Sequence, residues 1–224
     1  MTRFCLLVVA KAPVAGLAKT RLTPPATPRE AAAIAAAALL DTLRAVLATP
    51  GAVPLAALTG DVRAAEDAAG LREVLAEMSV VPQRGTSFAD RLANAHADAA
   101  ARFPGLPVVQ IGMDTPQVTP DLLNGVCLSL ADGPAVLGEA EDGGWWVLGL
   151  RDPAHAEALR DVPMSRADTA VRTRRALTRH GLRVVNGPRL TDVDTMTDAL
   201  TVAQSLPGSR FAAAVMDVTA GAIR

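Results

Sequence analysis

The chain has 224 residues, 50% of them hydrophobic and 20% charged, with a formal net charge of −1. That balance excludes a disordered chain and fits one globular domain over residues 1–224 with a substantial core. It also gives no electrostatic footprint for nucleic acid or an anionic membrane surface, so a charged ligand must be met by a local site, and the partners expected are small molecules.

The first apolar run, "RFCLLVVA", is followed by Lys11 and Pro13, too early for a membrane span, and no small-residue cleavage site follows, so a cytoplasmic protein is expected. Such a run, buried on both faces, is how a strand of a parallel sheet reads. The next stretch, "AKAPVAGLAKTRL", leaves that strand where open α/β sheets place their ligand crevice. It holds Lys11 and Lys19, the only lysines beside twenty arginines, together with Arg21. Gly16 and its small neighbours let backbone N–H groups approach a phosphate, and lysine's compact charge on a flexible stem suits a phosphate that moves during reaction. The alternative is a solvated basic loop. Neither a Walker A loop nor a dinucleotide fingerprint is present, since Ala18 stands where the former needs glycine.

"TPPATP" reads as a loop, and Thr27, Pro28 and Glu30 then open a long helix with an N-cap, a first-turn proline and a capping box. "VPLAALTG" and "PVVQIGMD" are the next strands, and Thr119 and Pro120 open another helix. Alternating strands and helices imply βαβ units with helices on both faces, a doubly wound α/β/α sandwich. At the end of "PVVQIGMD", Asp114 faces the same crevice as the lysine loop. It is either a ligand for a divalent cation bridging to phosphate or an Asx-turn or capping residue before Pro116.

"PAVLGEA" and "WWVLGL" follow one another around "EDGG", too close for an intervening helix, so an antiparallel excursion and a mixed, mostly parallel sheet are expected. Glu139 and Glu141 alternate there, and Asp142 leads into the tight Gly143–Gly144 turn. Of Trp145 and Trp146, one should enter the core while the other turns to the opposite face, where it can stack on a ring. "ADTAVRTRRALTRHG" reads as a helix ending at Gly181, its arginines on a solvated face, with Ser165 and Arg166 before its N-terminus. "LRVVNG" is a further strand.

In "LTDVDTMTDAL", Asp192 and Asp194 project to one face in extended backbone and either share a metal or serve as helix cap and exposed residue. The terminal "FAAAVMDVTAGAIR" reads as an apolar helix that either covers the sheet or joins a second copy, so a homo-oligomer is possible. Cys5 and Cys127 are expected as buried free thiols, and His96, His155 and His180 as surface residues.

In this order, K-x-P-x-x-G-x-x-K-T-R-L, G-x-D-x-P, A-E-D-G-G-W-W and D-V-D-T resemble the nucleotide-diphospho-sugar transferase superfamily, which has the glycosyltransferase-A fold. Within it the chain is similar to a glycosyltransferase-like group related to 2-phospholactate guanylyltransferase and, more remotely, molybdenum cofactor guanylyltransferase. The resemblance implies that residues 11–21 wrap the nucleotide phosphates, with Lys11, Pro13, Gly16, Lys19, Thr20 and Arg21 at the motif positions. It implies that Asp114 binds Mg2+, or Mn2+ in its place, and that Asp192 or Asp194 adds a second carboxylate. An acceptor region is implied around Glu141, Asp142 and Gly143, extending to Gly144 and Trp145. The group's G-[DN]-L-G-x-R-M pattern is replaced here by "GTSFADRL", which leaves Gly85 and Arg91 as the candidates for base and ribose contacts.

The implied activity is a metal-dependent nucleotidyl transfer from a nucleoside triphosphate to a small phosphorylated acceptor, with Lys19, Arg21 and Asp114 as the catalytic residues and pyrophosphate leaving. The alternatives are glycosyl transfer from a nucleotide sugar, with Glu141 or Asp142 as base, and a nucleotide-binding module without turnover.

Overall fold

The computed structural model describes residues 3–222, with no account of the side chains of residues 221 and 222. The described residues form a seven-stranded sheet between helices. The strands are β1 (Phe4–Lys11), β2 (Ala52–Thr59), β3 (Ser79–Pro82), β4 (Val108–Ile111), β5 (Ala135–Glu139), β6 (Trp145–Leu150) and β7 (Val184–Asn186). The helices are α1 (Pro28–Leu47), α2 (Ala68–Leu75), α3 (Phe88–Arg102), α4 (Pro120–Ser129), α5 (Thr169–Arg179), α6 (Met196–Gln204) and α7 (Arg210–Ala222).

The sheet order is β3-β2-β1-β4-β6-β5-β7. β1 pairs in parallel with β2 and β4, whereas β6 runs antiparallel between β4 and β5. The connection from β5 to β6 is too short for a crossover, which forces that reversal. Seven of the eight residues of β1 are buried, as its unbroken apolar run requires. On one face Leu39, Leu43, Leu71, Val74 and Leu123 from α1, α2 and α4 cover the sheet; on the other, α3, α5 and a 3-10 segment at Pro153–Leu159 do so.

The predicted caps form as the sequence dictates. Thr27 and Glu30 close a capping box with Pro28 in the first turn, Thr119 caps α4, and Gly181 follows α5 at φ +81°. α7 packs against α1 and α6, with Phe211 N–H donating to Asp41 at 2.9 Å. Leu22 and Ala26 of the lysine loop enter this cluster, anchoring the loop's far end. Both cysteines are free and buried, and burial pushes Cys5 up to about 12 and Cys127 to about 11. Among the described residues no helix is long and apolar enough to cross a membrane.

Two expectations need correction. β3 does not appear among the sequence-predicted strands because it is a half-exposed edge strand with alternating burial, not an apolar run. His96 is not a surface residue: α3 presses it against the sheet, fully buried, with Nε2 3.0 Å from Gln110 Oε1.

Burial drives the His96 pKa down from 6.5 to about 4, opposed in part by the Gln110 hydrogen bond. The folded value lies below the unfolded one, so on acidification the unfolded chain takes up the proton first. This contribution is intact above pH 6.5 and is lost towards pH 4, a fall of about 3 kcal/mol. Denaturant unfolding from pH 7 to 4 should therefore show wild type losing about 3 kcal/mol more than His96→Leu; parallel curves would contradict the assignment.

Candidate active site

The carboxyl ends of β1, β2 and β4 open into a cleft of about 690 Å³, joined to a smaller hollow of about 290 Å³ beneath the lysine loop. The loop folds on itself: Ala18 N–H donates to Val14 carbonyl, Gly16 turns at φ +75°, and the Lys11 ammonium donates to Leu17 carbonyl at 2.8 Å. Lys19 has a left-handed backbone (φ 47°) at the start of a 3-10 turn, Thr20–Leu22.

The side chain of Lys19 lies between two carboxylates. Its Nζ is 3.0 Å from Asp114 Oδ2 and 3.2 Å from Asp194 Oδ1, and Arg21 Nη1 reaches the other Asp194 oxygen at 2.8 Å. Burial alone would lower the Lys19 pKa, but the charges and hydrogen bonds of Asp114 and Asp194 hold it above its ordinary value.

Neither aspartate segment is spent on capping. Thr119 caps α4 and Thr195 caps α6 with Asp198 as its box partner, leaving Asp114, Asp192 and Asp194 to face the cleft. Backbone bonds carry the 190–194 segment across the sheet end: Leu190 N–H to Glu139 carbonyl, Glu141 N–H to Leu190 carbonyl, and Val193 N–H to Asp114 carbonyl.

The result is a set of carboxylate oxygens that the basic side chains satisfy only in part. Asp114 Oδ1 and Asp192 Oδ1 are buried without a hydrogen-bond partner. Burial, with the charges of Asp114 and Asp142 adding to it, pushes Asp192 up to about 7, and Lys19 offsets this only in part. Four carboxylates, those of Asp114, Asp142, Asp192 and Asp194, line the cleft together with Lys11, Arg21, Arg91 and Arg166, and Lys19 and Arg21 are the cations paired with them.

Of the other sequence candidates, Lys11, Arg91, Asp142, Gly144 and Trp145 line the cleft and Thr20 lines the hollow. Pro13, Gly16, Gly85, Glu141 and Gly143 are not among the lining residues. Gly143 instead joins two loops. It turns at φ +86°, a Cβ there would stand 1.9 Å from Ala167 carbonyl oxygen, and Ala170 N–H donates to its carbonyl at 2.9 Å. Gly85 packs its Cα against Asp90, whose carboxylate accepts from Ser87 and Thr86 and pairs with Arg160.

Sequence reasoning missed Gln83, Gln110 and Thr115 in the cleft wall. The signal for Gln110 was a lone amide inside the apolar run "PVVQIG"; Gln83 follows the strand that had no apolar run to reveal it.

Two stability outcomes follow. Lys19→Met, which leaves Asp114 without its cation and Asp194 with Arg21 alone, should cost about 1–2 kcal/mol in denaturant unfolding, since both carboxylates are more than a third exposed, and adding Asp194→Asn should restore part of it. An unchanged midpoint for the single variant would contradict the ion-pair geometry. Gly143→Ala should cost about 1–3 kcal/mol through strain at the loop junction, whereas Gly16→Ala meets no neighbour within 4 Å and pays only for its positive φ. Equal losses would show that the Ala167 approach does not matter.

The model of the family described as "Uncharacterized protein conserved in bacteria (DUF2064)" matches residues 42–166, more than half of the chain. No curated protein matches. Among solved structures, a provisionally assigned nucleotide-diphospho-sugar transferase from Desulfovibrio desulfuricans G20 superposes with a TM-score of 0.83 at 23% identity, covering 98% of this chain and 96% of that one. A cytidylyltransferase from Leptospira borgpetersenii gives 0.57 at 14% identity, covering 99% and 95%. Rv0371c of Mycobacterium tuberculosis H37Rv, solved with manganese, gives 0.50 at 19% identity, covering 91% and 100%. At these identities the likeness shows the fold, which is that of the nucleotide-diphospho-sugar transferases.

Proposed function

The chain belongs to the bacterial DUF2064 family, and we propose that it is a divalent-metal-dependent nucleotidyltransferase, which joins the nucleotidyl group of a nucleoside triphosphate to a small phosphorylated acceptor and releases pyrophosphate. The observation that carries this reading is the meeting of Lys11, Lys19 and Arg21 with Asp114, Asp192 and Asp194 at one sheet end.

The residues present fit a divalent cation. Two carboxylate oxygens, on Asp114 and Asp192, are buried without partners. Among the described residues no three carboxylate, histidine or cysteine side chains converge as a ready-made cage. That suits Mg2+ or Mn2+, which takes one or two carboxylates and completes its shell with phosphate oxygens and water. Asp114 and Asp192 would hold the ion, since both oxygens of Asp194 are engaged by Lys19 and Arg21. Bound there, the ion neutralises phosphate charge that develops as the bond to the leaving group breaks.

The chain's own residues do the rest by position and charge. The Lys11 ammonium, on the exposed side of the loop, meets a phosphate oxygen. The Arg21 side chain is 74% exposed, so its fork can leave Asp194 and grip the departing pyrophosphate bidentately. Lys19 bridges Asp114 and Asp194 and offers a third positive charge to the transition state. A phosphate acceptor needs no general base. In-line displacement then depends on holding nucleophile and α-phosphorus together. Glycosyl transfer from a nucleotide sugar is the second reading, favoured by the description of the Desulfovibrio neighbour and by Asp142 in the cleft wall.

The experiment is a panel of the four nucleoside triphosphates and their sugar diphosphates, each with Mg2+ or with chelator, read by thermal shift and by pyrophosphate release. One triphosphate should stabilise the protein only with metal, by about 2.7 kcal/mol at a hundred times its Kd. Asp114→Asn should abolish the metal dependence, and Lys19→Ala should weaken binding at least about tenfold, the loss of one charge-assisted contact. Arg175→Ala on α5 should do neither. Stabilisation by sugar diphosphates alone would replace this reading with glycosyl transfer.

A further inference from the structure

The cleft has an inner end that the phosphate chemistry does not use. It lies on the α3 and α5 side of the sheet, where Val9, Leu92, Trp145 and Met164 form its walls and Gln110 its floor. A β-bulge builds this chamber. The register of β5 against β6 shifts between Gly138 and Glu139, so Val147 pairs with Gly138 but Trp145 with Glu139. In a regular strand Trp145 and Val147 would share a face; with the bulge Val147 packs among the α1-side residues while Trp145 turns to the α3 side, and the extra residue, Trp146, takes the core position.

Two of the polar side chains beside the chamber are already committed to partners within the protein. Trp145 Nε1–H donates to Thr173 Oγ1 at 3.1 Å. The Thr169 hydroxyl accepts from Arg166 N–H at 3.0 Å and donates to Pro163 carbonyl at 3.1 Å. Gln110 is only 2% exposed, and its oxygen faces His96 Nε2 at 3.0 Å. His96 Nδ1 is buried with no partner. If Nδ1 carried the proton, an N–H would be orphaned in the interior, which proteins avoid more strictly than a bare lone pair. The proton therefore sits on Nε2 and is donated to Gln110 Oε1, which turns the Gln110 Nε2 amide away from His96. That amide has no partner among the described residues and reaches the cleft. Arg91, five residues before His96 on α3, stands at the outer side with a buried Nε that also lacks an acceptor.

We propose that this chamber binds the non-phosphate body of the second substrate, and that Gln110 is its specificity-determining residue, donating from Nε2 to a carbonyl oxygen on an otherwise apolar group, with His96 as the positioning residue that fixes the amide. The identification of the ligand as the second substrate rests on the transferase reading; the preference for an apolar carbonyl compound rests on the walls and the hydrogen-bond accounting alone. A sugar ring would be a poor occupant, because its hydroxyls would leave water for walls that offer few partners.

The test uses the 15N-labelled full chain and two flat probes of one shape, acetophenone and ethylbenzene, titrated while the side-chain amide resonances are followed. The Gln110 amide is identified by its absence from the Gln110→Leu spectrum. Acetophenone should shift that resonance saturably and bind at least tenfold more tightly than ethylbenzene. Gln110→Leu should reduce the preference to within twofold, as should Gln110→Met, which keeps the length of the side chain with no proton to donate and serves if the leucine variant does not fold. His96→Phe should still bind acetophenone but lose most of the preference, an outcome that simple loss of packing would not give. Equal binding of the two probes to wild type, no saturable shift, or a preference kept in Gln110→Leu would each overturn the proposal. A metal-dependent triphosphate shift measured on the same wild-type sample separates the two readings. Its presence without the ketone preference overturns only the chamber; its absence beside an intact preference overturns only the transferase assignment.

Discussion

The arrangement of the cleft depends on one partly buried ion pair network, Lys19 held between Asp114 and Asp194. Three chain segments meet there: the loop after β1, the end of β4 and the strap that leads into α6. Brought together without a cation, the carboxylates would repel one another in a medium far less polarisable than water. With Lys19 between them the loop acquires a fixed inner end, and Leu22 in the α1–α6–α7 cluster gives it a fixed outer end. The exposed charges, Lys11 and Arg21, are left at the rim of the cleft.

That network neutralises only part of the charge. The remaining oxygens of Asp114 and Asp192 have no partner, and a protein tolerates such groups at a functional site more readily than elsewhere. The apolar chamber behind Trp145 complements this charged mouth, and a substrate with a phosphate at one end and a compact body at the other would span both.

Much of the frame was legible in the sequence because it rests on local chemistry. The caps at Thr27 and Thr119 and the stop at Gly181 need only their neighbours in sequence, and the antiparallel β6 follows from the brevity of "EDGG". The unbroken apolar runs gave the central strands. β3 lacked that signal, since only one side of an edge strand is paired and its four residues alternate in burial.

The site was less legible, for a physical reason. Lys19 lies 175 residues from Asp194, and nothing within either segment tells that the lysine's first partner is a carboxylate. His96 was misplaced because its own helix is polar and its burial is decided by Gln110, on a different strand. Likewise Trp145 and Trp146 were expected on opposite faces, which holds, but only the bulge decides which of them faces the cleft. The most direct measurement of the account is anomalous diffraction from crystals grown with Mn2+ and the stabilising nucleoside triphosphate. It predicts one manganese ion within ligating distance of Asp114 and Asp192 and of a phosphate oxygen. Manganese bound elsewhere, with Asp114 still paired to Lys19 and Asp192 still without a partner, would contradict it.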